Sequence, residues 1–169
     1  MITDPIEKLA ELLAIKAKSW DESIEFDVDE IRYGLSVRIA FALVIISTLL
    51  IGFLSERVVE TTLTIFSFWL LRNLTGGFHL KSLTLCVVVS VILLSIIPHI
   101  QISPLILPYI GLLTLVIVIF FSENRDFKSL SLTFMIVFSS IFFSNSSISL
   151  SLFSQSLTLI KIGRWKSTC

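Results

Sequence analysis

"IAFALVIISTLLIGFL", residues 39–54, runs for sixteen residues without a single charge. Two similar runs follow it, "LCVVVSVILLSII" at 85–97 and "ILPYIGLLTLVIVIFF" at 106–121. A helix that crosses a bilayer needs about 20 mostly apolar residues. The whole chain is 54% hydrophobic and 15% charged, and its mean hydropathy is +0.93, which a soluble domain with a wetted surface rarely reaches. The sequence therefore predicts an all-α, polytopic membrane helix bundle.

The apolar runs divide the chain into about six expected transmembrane helices. We place them at residues 35–54, 58–71, 82–98, 104–121, 129–143 and 147–160. The second and sixth are short, at about 14 residues, so each is expected to tilt into thinned bilayer or to cross it incompletely. If neither crossed, four spans would be left.

Residues 4–19 precede these spans and predict an amphipathic helix that lies in the membrane interface. Charged residues take the remaining faces, so the segment is too polar to span. Thr3 or Asp4 can cap its start, and Pro5 is tolerated in a first turn. The expected apolar stripe, at helical spacing, consists of Ile6, Leu9, Leu13 and Ala17.

The predicted organisation has three parts. Residues 1–34 form the cytosolic or interfacial segment, residues 35–160 the transmembrane domain with a catalytic loop near 72–86, and residues 161–169 a basic cytosolic tail. Within the first part, residues 21–30 carry six acidic groups. A solvated acidic connector explains this cluster better than a cation site does.

Basic residues are distributed unevenly about the expected spans. Of the 13 Lys and Arg residues, only Arg57 falls on one side of the membrane, and all the others fall on the opposite side. Cytoplasmic loops carry the excess of Lys and Arg in membrane proteins. Both termini and the loop near 72–86 are therefore predicted to be cytoplasmic.

Charge and cysteine content restrict the function classes. The formal net charge is zero, which gives no electrostatic support for binding nucleic acid. The first twenty residues are charged and amphipathic, so we expect no secretory signal peptide. Cys86 and Cys169 do not suggest a disulfide framework.

"LRNLTGGFHLKSLTLC", residues 71–86, concentrates reactive and flexible residues between two apolar segments. Taken singly, each has an ordinary explanation: Cys86 as a small hydrophobic residue, His79 as an interfacial histidine, and the Gly76–Gly77 pair as a turn. Together they are chemically complementary, because an imidazole can take the proton of a thiol and activate it as a nucleophile.

Geometry limits how that pair can form. Residues seven apart on one straight helix lie about 10 Å apart along its axis, which is too far for a hydrogen bond. For His79 to serve Cys86, the chain must bend back over the start of the third span, and Gly76–Gly77 permits such a bend. Irregular backbone at membrane depth also needs a polar cavity, which a site would provide.

The motif resembles that of the accessory gene regulator B (AgrB) family. These are membrane cysteine endopeptidases that process the precursor of a quorum-sensing peptide in Gram-positive bacteria. The similarity covers roughly residues 30–100, including "IRYGLSVRIAF" before the first span and the specific core "LR…GGFH……C". Where family members usually have a Pro-rich segment with Asp and Lys after the third span, this chain has the uncharged "HIQISPLILPYI", and its last 40 residues contain no motif that we recognise.

The resemblance implies that His79 and Cys86 are the catalytic pair, with Arg72, Gly76 and Gly77 as the supporting motif. It also implies an AgrD-like precursor peptide as substrate, a cell-membrane location in a Gram-positive bacterium, and a homodimer. We expect no cofactor and no metal. Arg72 could stabilise an oxyanion or hold a substrate carboxylate, or equally anchor to a lipid phosphate.

A second interpretation assigns the chain to a different class, a non-enzymatic transport or substrate-binding subunit in which the Gly-Gly break shapes a ligand site. Other polar residues carry weaker hypotheses. Glu60 either orients His79 or, as the topology favours, pairs with Arg57. Gln155 and the Ser and Thr residues of 139–158 are expected to hydrogen-bond between helices.

Overall fold

The computed structural model describes residues 4–20, 26–76, 82–122, 127–143 and 145–160. Within these ranges it is all-helical, as the sequence predicts. The helices are α1 (Pro5–Trp20), α2 (Val28–Leu54), α3 (Val58–Thr75), α4 (Leu83–Ile96), a short 3-10 helix (Ile97–His99), α5 (Leu107–Phe121), α6 (Phe127–Phe143) and α7 (Ser146–Leu157).

Each of the six expected spans corresponds to one helix, from α2 to α7, with shifted ends. Helix α2 begins at Val28 rather than 35, so it takes up the end of the acidic segment 21–30. Asp27 accepts a hydrogen bond from the Val28 amide at 2.7 Å, and acidic groups in a first helical turn are favoured by the helix dipole. Helix α3 continues to Thr75, four residues past the expected end.

Among the residues that the structure describes, one helix, α2, is long and apolar enough by length and composition to cross a membrane. Shorter apolar helices lie at Leu83–His99, Leu107–Phe121 and Lys128–Ser140. The six-span arrangement therefore stays a prediction.

The chain divides into two compact units. The first comprises Met1–Ser47 and His79–Ile92, and so holds α1, most of α2 and most of α4. Here Asp4 caps α1 by accepting from the Ile6 amide at 3.0 Å, and Lys18 near its other end donates to the Phe26 carbonyl at 3.2 Å.

Helix α1 is present, and it buries Ile6 of the predicted apolar stripe while Leu9 and Leu13 of that stripe face outward. The buried residues are Ile6, Ala10 and Ala14, whereas Leu9 is 48% exposed and Leu13 is 42% exposed. Alanines at this spacing allow close packing on one side, which leaves the leucines outward. An outward apolar face suits a helix that lies in the membrane interface.

The second unit comprises Thr48–Phe78 and Leu93–Cys169. In it α7 packs against α3 and α5, and α6 packs against α5 and α3. A small apolar core joins Leu71 of α3, Val137 of α6 and Leu152 of α7. Ser151 of α7 also donates to the Thr64 carbonyl of α3 at 2.7 Å, which confirms the expected hydrogen bonding between helices.

A tight turn joins α2 to α3, and the last turns of α2 meet the start of α3 at Gly52 and Thr61. The turn places Glu56 at a φ of 57°, and the Arg57 amide donates to the Gly52 carbonyl at 2.8 Å. A β-carbon at Gly52 would lie 2.5 Å from the Thr61 hydroxyl oxygen. Only glycine fits at this contact.

Candidate active site

Helix α3 ends at the first glycine of the Arg–Gly–Gly–His–Cys motif. Gly76 has a φ of 78° and a ψ of −153°, a backbone region that is essentially restricted to glycine. Its amide donates to the Arg72 carbonyl at 2.9 Å. The structure thus brings Arg72 and Gly76 together through the backbone, and it gives Gly76 the role of a helix terminator.

The same helix end is held from α7 by a buried amide. Gln155 has no exposed surface, and its Nε2 donates to the Gly76 carbonyl at 2.9 Å. Thr75 donates its hydroxyl back to the Leu71 carbonyl at 2.8 Å, and Ser122 donates to the Thr75 carbonyl at 3.4 Å. Two side chains far away in the sequence therefore hold the end of α3, Gln155 at the Gly76 carbonyl and Ser122 at the Thr75 carbonyl.

Gln155 also holds an acceptor that the described part of the chain leaves unmatched. Its Oε1 is buried and has no hydrogen-bond partner among the described residues. The bond from Nε2 to the Gly76 carbonyl fixes the amide orientation, because the reverse orientation would set two oxygens against each other. A buried acceptor without a donor costs about 1–3 kcal/mol.

Cys86 lies one turn into α4 and is partly buried. Ser82 precedes the helix as its N-cap: its carbonyl accepts from the Cys86 amide at 3.1 Å, and its hydroxyl oxygen accepts from the Leu85 amide at 3.2 Å. A serine at this position satisfies amides that an α-helix leaves without internal partners. The thiol is therefore carried on a well-formed first turn.

A carboxylate from the N-terminal segment completes this turn. Asp4 Oδ2 accepts from the Ser82 hydroxyl at 2.6 Å and from the Thr84 amide at 3.0 Å, and Asp4 Oδ1 accepts from the Thr84 hydroxyl at 2.6 Å. Asp4 also caps α1 through the Ile6 amide. One side chain thus caps two helices.

The environment of Asp4 stabilises its charged form. Burial, with the residue only 7% exposed, acts to raise the pKa of Asp4. The hydrogen bonds from Ser82, Thr84 and the Ile6 amide outweigh burial and hold the pKa of Asp4 well below its ordinary range. Asp4 is therefore an anion at every physiological pH.

The sequence indicates Asp4 as a possible cap for α1 but does not indicate its contact with α4. The partners are separated by 78 residues in one case and 80 in the other. Ser82 and Thr84 do have side chains that are typical of a helix start, but many carboxylates precede them in the chain. No local pattern selects Asp4 among these.

Several predicted residues lie outside the described residues. These are the catalytic candidate His79, the second glycine Gly77, the basic residues Lys81, Arg125, Lys161, Arg164 and Lys166, and Cys169. Arg72 and Gly76 belong to the second compact unit and Cys86 belongs to the first. The pairing of His79 with Cys86 accordingly stays a prediction.

Two further polar residues, Glu60 and His99, lie among the described residues. Glu60 Oε1 lies 4.0 Å from Arg57 Nη1, at the start of α3, which is the partner that the topology favoured. His99 closes the 3-10 helix and is exposed. Within the part of the chain that the structure describes, no group of three or more His, Cys, Asp and Glu residues could hold a metal ion.

Comparison with known proteins adds one match. A family model described as AgrB, accessory gene regulator B, matches residues 6–159. No curated protein and no solved structure matches the chain. The matched range contains α1 apart from its first residue, all six of the helices at the expected spans, and Ser82, Thr84 and Cys86. The expectation that the similarity covers only about residues 30–100 was therefore too narrow, because the family model extends through α7.

Proposed function

The chain belongs to the accessory gene regulator B family, and from that premise we propose that it is a membrane cysteine endopeptidase with Cys86 as nucleophile. The family is membrane-associated and acts in peptide processing for quorum sensing. The observation that carries the proposal is the position of Cys86, one turn into a capped helix and seven residues after the histidine of the Gly-Gly-x-His motif.

The first chemical step forms an acyl-enzyme. The Cys86 thiol gives its proton to His79, and the sulphur bonds to a backbone carbonyl carbon of an AgrD-like precursor. The carbon–nitrogen bond then breaks, and the leaving amine takes the proton from His79. The products are a thioester on Cys86 and a released carboxyl-terminal fragment.

The second step uses the acyl energy that the thioester retains. A thiol or hydroxyl within the bound peptide attacks the thioester carbonyl and passes its proton through His79 to the departing sulphur. The new bond closes a thiolactone or lactone ring and regenerates the Cys86 thiol. Attack by water instead gives a linear peptide.

The proposed setting for this chemistry is a six-span protein of the Gram-positive cell membrane. The uneven distribution of Lys and Arg supports cytoplasmic termini and a cytoplasmic site. The apolar surface of α2 supports contact with lipid: Phe53 is 70% exposed and Leu54 is 75% exposed, where a soluble protein would bury such residues. Homodimer formation is part of the same proposal, and family membership supports it.

The test is co-expression with an AgrD-like precursor, followed by mass spectrometry of the cleaved and cyclised products. We expect Cys86→Ala to abolish both products while the protein still reaches the membrane, and His79→Ala to have nearly the same effect. Cys169→Ala is the matched control and should leave both products unchanged. Normal peptide release by the Cys86→Ala protein would instead favour the non-enzymatic subunit.

A further inference from the structure

The first turn of α4 depends on one carboxylate that lies far away in the sequence. Three successive backbone amides donate hydrogen bonds to two residues. The Thr84 amide donates to Asp4 Oδ2 at 3.0 Å. The Leu85 amide donates to the Ser82 hydroxyl oxygen at 3.2 Å, and the Cys86 amide donates to the Ser82 carbonyl at 3.1 Å. Amides at the start of a helix otherwise need water or a ligand. Here the protein itself supplies the acceptors of these three amides.

Asp4 also controls the Ser82 side chain. The Ser82 hydroxyl donates to Asp4 Oδ2 at 2.6 Å, so its single proton is committed and its lone pairs face the Leu85 amide. Without Asp4, the hydroxyl would be free to rotate, and the Leu85 and Thr84 amides would lose their fixed acceptors. The effect of Asp4 therefore extends to the residue directly before Cys86.

The strength of this arrangement comes from charge and burial. Hydrogen bonds to an ionised carboxylate are shorter and roughly twice as strong as those between neutral groups. Asp4 is 7% exposed, so water does not readily replace the lost partners. By contrast, the ion pair of Lys18 and Asp27 at the other end of α1 is 3.8 Å long and well exposed, and such pairs contribute little.

We propose that Asp4 is a positioning residue for the nucleophile: it fixes the first turn of α4, and with it Cys86, to the N-terminal helix α1. This proposal rests on the proposed role of Cys86. Its further consequence is that α1 is part of the catalytic unit and not only a membrane anchor. A change that displaces α1 from the interface would then displace Cys86 as well.

The experiment compares the full-length protein with Asp4→Asn and with the control Glu7→Gln, which removes a carboxylate from the exposed side of the same helical turn. Asparagine keeps the size of the side chain but presents a donor where Oδ2 accepts the Thr84 amide. Misplacing a reacting group by about 1 Å can cost 10²-fold in rate. We expect kcat for precursor cleavage to fall about 10- to 100-fold for Asp4→Asn with KM little changed, and Glu7→Gln to behave as wild type.

A second readout does not depend on the reaction. In a Cys169→Ser background, N-ethylmaleimide reports on Cys86 alone, and we expect Asp4→Asn to increase its alkylation rate severalfold because the first turn opens. A failure of the proposed function would show in an active Cys86→Ala protein, whereas a failure of the positioning role would show in an unchanged alkylation rate. Equal kcat for Asp4→Asn and wild type would likewise overturn the positioning role.

A double-mutant cycle separates this role from general loss of folding. Thr84→Val removes the hydroxyl that donates to Asp4 and keeps the shape of the side chain. If Asp4 acts through α4, Thr84→Val should have little further effect on kcat once Asp4 is already Ala. Additive losses of kcat in the Asp4→Ala and Thr84→Val pair would show that Asp4 acts elsewhere and would overturn the proposal.

Discussion

Gln155 Nε2 donates to the Gly76 carbonyl at 2.9 Å, across 79 residues of sequence. The contact joins a fully buried amide of α7 to the residue that terminates α3. Gly76 is the first of the two glycines that precede His79, so the motif starts from a fixed point. Hydrogen bonds between helices specify packing where the surroundings are apolar throughout, and this one holds the residue at which α3 ends.

Gln155→Leu should therefore impair precursor cleavage more than it impairs stability. Leucine cannot donate to the Gly76 carbonyl, but it also removes the unmatched Oε1 acceptor, so the two effects on the free energy of unfolding partly cancel. The control is Ser151→Ala, which removes the other bond from α7 to α3 at Thr64. We expect both variants to lower Tm by a few degrees and only Gln155→Leu to lower kcat, as measured by thermal denaturation and cleavage in detergent.

Gly76→Ala should destabilise the end of α3. A side chain at φ 78° and ψ −153° costs about 1–3 kcal/mol, and the chain can avoid this cost only by changing the backbone angles of residue 76 itself. The control is Gly34→Ala within α2, where a β-carbon would meet nothing within 4 Å and alanine is the better helix former by about 0.5–1 kcal/mol. A Gly76→Ala protein as stable as wild type in denaturant titrations would mean that the chain does not need this backbone conformation.

Much of the helix content is predictable because apolar runs and breaks alternate along the chain. Pro98 and Pro108 mark the end of α4 and the start of α5, and the structure shows a 3-10 turn and a helix N-terminus at those positions. The buried face of α1 was not predictable in the same way. Leu9 and Ala10 both fit a helical stripe, and hydrophobicity alone favours the leucine that the structure exposes.

The contacts that support the candidate site lie beyond local pattern. Ser82 and Thr84 are typical of a helix start, and Gln155 is conspicuous in an apolar segment, so the residues themselves can be singled out. Their partners Asp4 and Gly76 are about 80 residues away. Such pairings depend on how the helices pack. The sequence alone does not give that packing, so many donors and acceptors are equally good candidates for each partner.

Gly52→Ala should disrupt the close contact between Gly52 near the end of α2 and Thr61 at the start of α3. The added β-carbon would lie 2.5 Å from Thr61 Oγ1 and 2.8 Å from Thr61 Cβ, and Thr61 is buried with 1% exposure. Overpacking of this kind costs about 1–3 kcal/mol. Combining it with Thr61→Gly should recover part of the lost stability. A Gly52→Ala protein with a raised Tm would show that the contact has space for the added β-carbon.

The contribution of Asp4 to stability should depend on pH in a defined direction. Because the pKa of Asp4 is lowered in the folded protein, its stabilising effect is complete above the ordinary carboxyl pKa of about 3.9 and is lost as pH falls below that value. The difference in free energy of unfolding between wild type and Asp4→Asn should be constant from pH 8 to 5 and should shrink at more acidic pH. A difference that grew on acidification would contradict the contacts with Ser82 and Thr84.

The predicted topology can be tested with thiol reagents that do not cross membranes. In a background without Cys86 and Cys169, cysteines are introduced singly at Asn73, Gln101, Asp126 and Ser144. Because every basic residue except Arg57 falls on the side of 73 and 126, the positive-inside rule places these two positions in the cytoplasm. In intact cells we expect labelling only at 101 and 144, and at all four positions after permeabilisation. Labelling of position 73 from outside would place the end of α3, and with it Gly76, at the external face. A precursor made in the cytosol could then reach Cys86 only after crossing the membrane.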